Sequence, residues 1–276
     1  MDFSIARKYF YQEVYQPDEQ INLEKAALYL AMEEYPDLEV DAYLNALDTM
    51  AAEVEDRLPA EFYPLKILQT INDYLYNDLG FTGNTNAYYD PRNSFLNEVI
   101  DRRTGIPITL ALVYLAIAQR LDFPMVGVGM PGHFLIRPDV EEMEIFVDAF
   151  HQGEILFAQD CQGLLSRAYG QPVKLHAAFL QSVTSRQILG RMLTNLKMIY
   201  LNQGNLKKTV AAVERILLLY PDAAFELRDR GVLYYRLNRF TEARKDLEDY
   251  LTLTPTAEDI AMIQELLDVI SGKDGA

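Results

Sequence analysis

The sequence predicts an α+β domain, with a helical N-terminal region leading into a small antiparallel sheet, followed by an all-α domain of paired helices. Three observations predict it. Apolar residues recur at helical spacing through most of the first 120 positions. The period then shortens towards two in MVGVGM, HFLIR and EIFVDAF, which read as three short strands. The last hundred residues return to helical spacing and carry a 34-residue repeat: Tyr200 and Tyr234, Pro221 and Pro255, and Leu193 and Leu227 are each 34 apart. The expected division is 1–175 and 176–276.

In order along the chain, NLEKAALYLAMEEYP places Leu23, Ala26, Ala27, Leu30 and Ala31 on one face, and Pro36 closes that helix. VDAYLNALDTMAAEVEDRL does the same with Tyr43, Leu44, Leu47, Met50 and Val54. PLKILQTINDYLYNDLGF carries Leu65, Leu68, Ile71, Leu75 and Leu79, with Gly80 as its C-cap. A turn-rich loop, GNTNAYYDPRNS, leads to the helical stretch FLNEVIDRR, for which Asn93 or Ser94 reads as the N-cap, and to a break at Gly105. The strongest helix, PITLALVYLAIAQRL, follows and precedes the strands. In the repeats, Gly231 and Ala243 are the small residues at which the helices of the second hairpin cross. Lys197 and Thr209 hold those places in the first. Turns fall at Gly204-Asn205 and Asn238-Arg239, and TAEDIAMIQELLDVI caps the open end. Thirty-four residues is the tetratricopeptide period.

The composition narrows the function classes. The formal net charge is −16 over 276 residues, which argues against a phosphate-facing basic surface and hence against nucleic acid as a partner. Residues 1–60 hold 14 Asp or Glu and 4 Lys or Arg. These are either solvated helix faces or a docking surface for a basic partner. No stretch of 18 apolar residues suggests a membrane span, and the first residues lack the pattern of a cleaved leader. A single cysteine, Cys161, excludes an internal disulfide. Together these points favour the cytoplasm. GVGMPG lies between two strands with no helix after it, so it is not a dinucleotide loop, and no cofactor is implied.

The run NSFLNEVIDRRTGIP together with GVGMPGHFLIR and FVDAF resembles the bacterial SirB family of transglutaminase-like proteins, over about residues 20–170, with the repeats extending the resemblance to the end. It implies a transglutaminase-like (papain-like) core. In active relatives of that core a Cys opens a helix packed on a sheet, a His lies on a following strand, and an Asp on the next strand orients it. A helix N-terminus favours the thiolate, and the carboxylate fixes the His tautomer. Carried onto this chain, His133 matches the triad His, Asp148 matches the Asp, and Pro107 occupies the position of the Cys. Proline suits the first helical position, where no amide N–H is needed, but it supplies no nucleophile.

The His–Asp pairing is also expected from the residues themselves. A hairpin turning between Val140 and Glu141 would oppose Arg137 to Glu144 and His133 to Asp148, with Cβ atoms roughly 4.5–5.5 Å apart on one face. Such a pair is either structural or a dyad lining a pocket. Other groups rank lower as nucleophiles. Thr109 is about 200° round the helix from Pro107, Ser94 precedes the earlier helix, and Cys161 reads as a buried structural thiol. His133, Asp148 and His151 have metal-ligand chemistry, but no His-x-x-x-His or Cys pair supports a metal, and none is expected. The loop from Gly83 to Asn93 and the charged run Asp101, Arg102 and Arg103 are candidates to border the same cleft. Two functions follow: a non-catalytic adaptor or scaffold whose repeat groove binds a protein partner, or an enzyme of amide or ester hydrolysis or acyl transfer that keeps His133 and Asp148 and uses another nucleophile or water.

Overall fold

The computed structural model describes residues 4–61, 63–140 and 143–274. The chain divides into two compact units, Met1–Met192 and Leu193–Ala276.

The first unit begins with α1 (Ile5–Val14), α2 (Leu23–Met32), α3 (Val40–Glu55) and α4 (Pro64–Asn72). α4 opens on a proline at its first turn and runs into a π-helical turn, Asp73–Asp78, which Gly80 ends at φ +74°. Then come β1 (Thr82–Gly83), a 3₁₀ turn (Pro91–Ser94), α5 (Leu96–Arg102), β2 (Thr104–Gly105) and α6 (Pro107–Arg120). The remaining elements of this unit are β3 (Met125–Val128), β4 (Leu135–Pro138), β5 (Phe146–Asp148), a 3₁₀ turn (Ala149–His151), β6 (Glu154–Leu156), α7 (Ala158–Tyr169), β7 (Ser182–Val183) and the start of α8 (Ser185–Asn202). The fold is therefore α+β, mostly helical, with a five-stranded antiparallel sheet ordered β6-β5-β4-β3-β7 and a separate parallel pair, β1-β2.

α6 is the hub. It is apolar around most of its circumference, as a fully enclosed helix must be, and every residue from Pro107 to Tyr114 is buried. It packs on α3, α4, α5, β3 and β4. At its C-terminal end Arg120 donates to both carboxylate oxygens of Glu24, at 2.8 Å each, and to Asp48 at 2.5 Å, tying α6 to α2 and α3. Beside the sheet, Leu135, Phe146 and Leu156 form a cluster with Cys161 and Leu165 of α7.

The second unit contains α9 (Leu206–Leu219), α10 (Ala224–Arg236), α11 (Phe240–Leu253) and α12 (Ile260–Asp274) after the end of α8. The turns fall where the repeat places them, with Gly204 at φ +68° and Asn238 at φ +59°. At the α10–α11 crossing a Cβ on Gly231 would lie 2.7 Å from Leu247 Cγ, so this position requires glycine. In the first hairpin Thr209 and Lys197 are buried instead, and the Lys197 ammonium is held at 2.7 Å by both Glu226 and Asp229. Ile263 and Ile270 of α12 join the core of α9–α11 and close its end. Among the described residues no helix is long and apolar enough to cross a membrane.

Two local expectations are corrected. The hairpin register pairs Ile136 with Val147, two residues beyond the expected alignment. The reason lies in the connection. The Asp139 amide donates to Pro124 O, so the chain follows β3 further before it turns; the turn was centred between Val140 and Glu141, and Glu141 and Glu142 lie outside the described residues. Neither Asn93 nor Ser94 caps α5, because both belong to the preceding 3₁₀ turn and Phe95 takes the cap position.

Candidate functional site

His133 follows a tight turn. Gly132 lies at φ +75°, with Ala168 so close that a Cβ would meet it at 2.7 Å, and the His133 amide donates to Met130 O. Arg191 of α8 clamps this turn from outside. Its guanidinium donates to Met130 O at 3.1 Å and His133 O at 2.8 Å while stacking over the Phe134 ring. The backbone position of His133 is thereby fixed by groups other than its own ring.

Asp148 ends β5 and is completely buried. Its Oδ1 accepts from the amides of Phe150 (3.0 Å) and His151 (3.3 Å), capping the short turn that follows. Its Oδ2 accepts from His133 Nε2 at 2.7 Å and from His151 Nδ1 at 2.8 Å. Burial alone would raise the pKa of this carboxyl. The bonds from His133 and His151 outweigh it and hold the group below its usual value, so it stays ionised. The two-residue register shift keeps His133 and Asp148 on the same side of the strands, because side chains alternate with a period of two. The rings contact Asp148 differently with respect to solvent: the His133 side chain is 12% exposed and that of His151 is 50% exposed. The corner is anchored behind by Tyr76, whose buried hydroxyl donates to Ala149 O, and by Asn72, which donates to Gly153 O.

Phe150 forms one wall, with its ring edge-on to His133, His151 and Tyr88. Gly83 presses against it: a Cβ there would lie 2.6 Å from the ring and 2.7 Å from Phe150 O. Gly83 pairs with Gly105 across β1-β2, two residues before Pro107. A chain of close contacts thus runs from the His–Asp corner through Phe150 and Gly83 to the start of α6. Pro107 is buried at the first position of that helix. Asn93 orders the loop alongside, donating to Ala87 O and Tyr88 O and accepting from Asn84.

The other candidates are placed as follows. Thr109 turns its hydroxyl back on the helix start, accepting from the Ile106 amide and donating to Asn93 O. Ser94 is buried, and its hydroxyl has no hydrogen-bond partner among the described residues. Cys161 is buried against the sheet, and burial pushes its thiol up to about 11, far from a thiolate at neutral pH. Asp101 accepts from the Tyr43 hydroxyl and Arg103 donates to Leu79 O, so both are engaged away from the corner, whereas Arg102 reaches Asn93. A cleft of about 790 Å³ lies elsewhere in the first unit, between Glu19–Leu23, Asp122–Gly127 and Ile188; none of His133, Asp148, His151 or Pro107 lines it. Sequence reasoning missed Arg191 and Phe150 as parts of the site, and underrated His151. The signal for His151 was its position three residues after a carboxylate able to cap a turn.

Residues 41–194 match the family model of the transglutaminase-like superfamily, and residues 196–268 that of a tetratricopeptide repeat. A transglutaminase-like domain followed by tetratricopeptide repeats is the class that fold and site define. The chain is 37% identical over 254 residues to a UPF0162 protein of Xylella fastidiosa (strain 9a5c), covering 90% of this chain and 89% of that one. It is 31% identical over 197 residues to a UPF0162 protein of Vibrio cholerae, covering 71% and 73%. It is also 33% identical over 188 residues to F-box only protein 21 of Homo sapiens, covering 64% of this chain but 29% of that protein. The chain belongs to the UPF0162, SirB-like family.

Proposed function

We propose that this protein is a non-catalytic adaptor or scaffold of the cytoplasm, built on a degenerate transglutaminase-like core and carrying repeats that bind a protein partner. The observation that carries the reading is Pro107: buried at the first position of α6, it stands where the family resemblance places the nucleophilic cysteine. The chain's single thiol, Cys161, is buried and hard to ionise. The acidic N-terminal region suits a basic partner. The test is enzymatic. The full chain is assayed for hydrolysis of amides and esters and for acyl transfer to an amine, beside His133→Ala. Equal, background rates in both support the adaptor. Turnover that His133→Ala abolishes overturns it and establishes the second reading, a hydrolase that acts through water, which the 2.7 Å His133–Asp148 bond favours.

A further inference from the structure

We infer that His133, Asp148 and His151 form a binding site for one divalent transition-metal ion of the zinc class. Three donor atoms, His133 Nε2, Asp148 Oδ2 and His151 Nδ1, lie within 4.8 Å of one another. They converge on one small volume, since both imidazole nitrogens point at the same carboxylate oxygen. The rings stand side by side, with centroids 5.8 Å apart and planes 34° from parallel.

The surroundings are those of a prepared ligand set. Asp148 Oδ1 is occupied by two backbone amides, so the carboxylate cannot rotate and Oδ2 is left to face the rings. The His133 backbone is held by Arg191. Fixation of ligands by groups outside the coordination sphere is what tunes metal sites. Two imidazoles and one carboxylate select zinc-like ions over calcium or magnesium, which prefer all-oxygen shells.

The three donor atoms, now within 4.8 Å of one another, must settle to equal spacings. With bonds of roughly 2.0–2.1 Å in a tetrahedron, ligand atoms stand about 3.3 Å apart. The present contacts of 2.7 and 2.8 Å must therefore open by about 0.5 Å. His151, half exposed and on a short turn, supplies that movement and the path for the ion. Each ring takes the tautomer whose metal-facing nitrogen is bare, its proton passing to the other ring nitrogen or to solvent. Three protein ligands leave the fourth position to water. The bound ion ties the turn before β4 to the end of β5.

The experiment uses the full chain stripped with a chelator. Co²⁺ is titrated by its visible absorption and Zn²⁺ by calorimetry. The expected result is one equivalent of each, with Co²⁺ bands of four-coordinate intensity and a rise in melting temperature on adding Zn²⁺. His151→Ala should weaken binding by about tenfold or more, as should His133→Ala, while His176→Ala, which alters the one remaining histidine, should change nothing. His151 is half exposed, so its variant keeps the fold, which circular dichroism checks. Absence of saturable one-equivalent binding overturns the inference, as does unchanged affinity in His151→Ala.

Discussion

Asp148→Ala tests whether the His–Asp corner is the device described. Four hydrogen bonds end on this buried carboxylate. Loss of the turn cap is worth about 1 kcal/mol. Loss of a charge-assisted bond from the nearly enclosed His133 ring is worth about 2 kcal/mol. The His151 ring is half exposed and finds water, so it adds little. The variant should therefore lose about 3 kcal/mol in the first unit. Asp148→Asn keeps the oxygen that caps the turn and replaces only the charged contacts, so about half that loss is expected. The pH dependence has a definite sign. The folded-state pKa of Asp148 is depressed, so its contribution is complete above the unfolded value of about 3.9 and is lost as pH falls through the folded value. The gap between wild type and Asp148→Asn should be full at neutral pH and close in acid below about pH 4. Amide exchange at Phe150 and His151 reads the cap directly, and tyrosine circular dichroism during denaturation reads the unit. A loss below about 1 kcal/mol for Asp148→Ala, or a gap that ignores pH, would refute the reasoning.

Three further outcomes are expected. Arg120→Ala strands the buried Glu24 carboxylate and should cost about 3–5 kcal/mol, whereas the Arg120→Met, Glu24→Leu double variant should recover much of it; denaturant titration of both decides. Gly231→Ala drives a methyl into Leu247, so overpacking of about 1–3 kcal/mol outweighs the helix-propensity gain of about 1, while Gly163→Ala in α7, where the new methyl meets nothing within 4 Å, should stabilise by about 0.5–1 kcal/mol; hydrogen exchange of each helix separates the two. Pro107→Cys in a Cys161→Ala background should place a thiol at a helix N-terminus, where the dipole lowers its pKa by about 0.2–0.7 units against the rise that burial of this position brings, and His133 lowers it further if the ring reaches it. The pH profile of iodoacetamide alkylation, with and without His133→Ala, measures both, and an unshifted profile would show that residue 107 does not stand at a nucleophile's position.

What the sequence disclosed follows the length and regularity of each element. α2, α3 and α6 and the repeat helices run ten residues or more with apolar spacing near 3.6, so their faces could be read directly. β1, β2, β6 and β7 have two or three residues each, too few to show alternation. The hairpin register failed for a nonlocal reason, the bond from the Asp139 amide to Pro124 O, which no turn motif announces. The candidate site divides the same way. His133 and Asp148 were legible because a two-residue slip preserves the face on which they meet. Arg191 reaches the site from α8, 58 residues away in sequence, and nothing around it distinguishes it from a surface arginine.

The same geometry bears on how far the His133–Asp148 pair speaks for catalysis. Asp148 caps a turn that Tyr76 and Asn72 anchor, and His133 fills one of its lone pairs. Each of these bonds stabilises the corner whether or not a nucleophile stands nearby, so retention of the pair is expected of a structural element as much as of an enzyme. Pro107 behaves likewise: its fixed φ and missing N–H favour the start of α6, and a cysteine there would give up that preference. His133, Asp148 and Pro107 are thus each accounted for by local stability. Of the two rings on Asp148, that of His151 is the more open to solvent, at 50% against 12% for His133, so chemistry at this corner starts from His151.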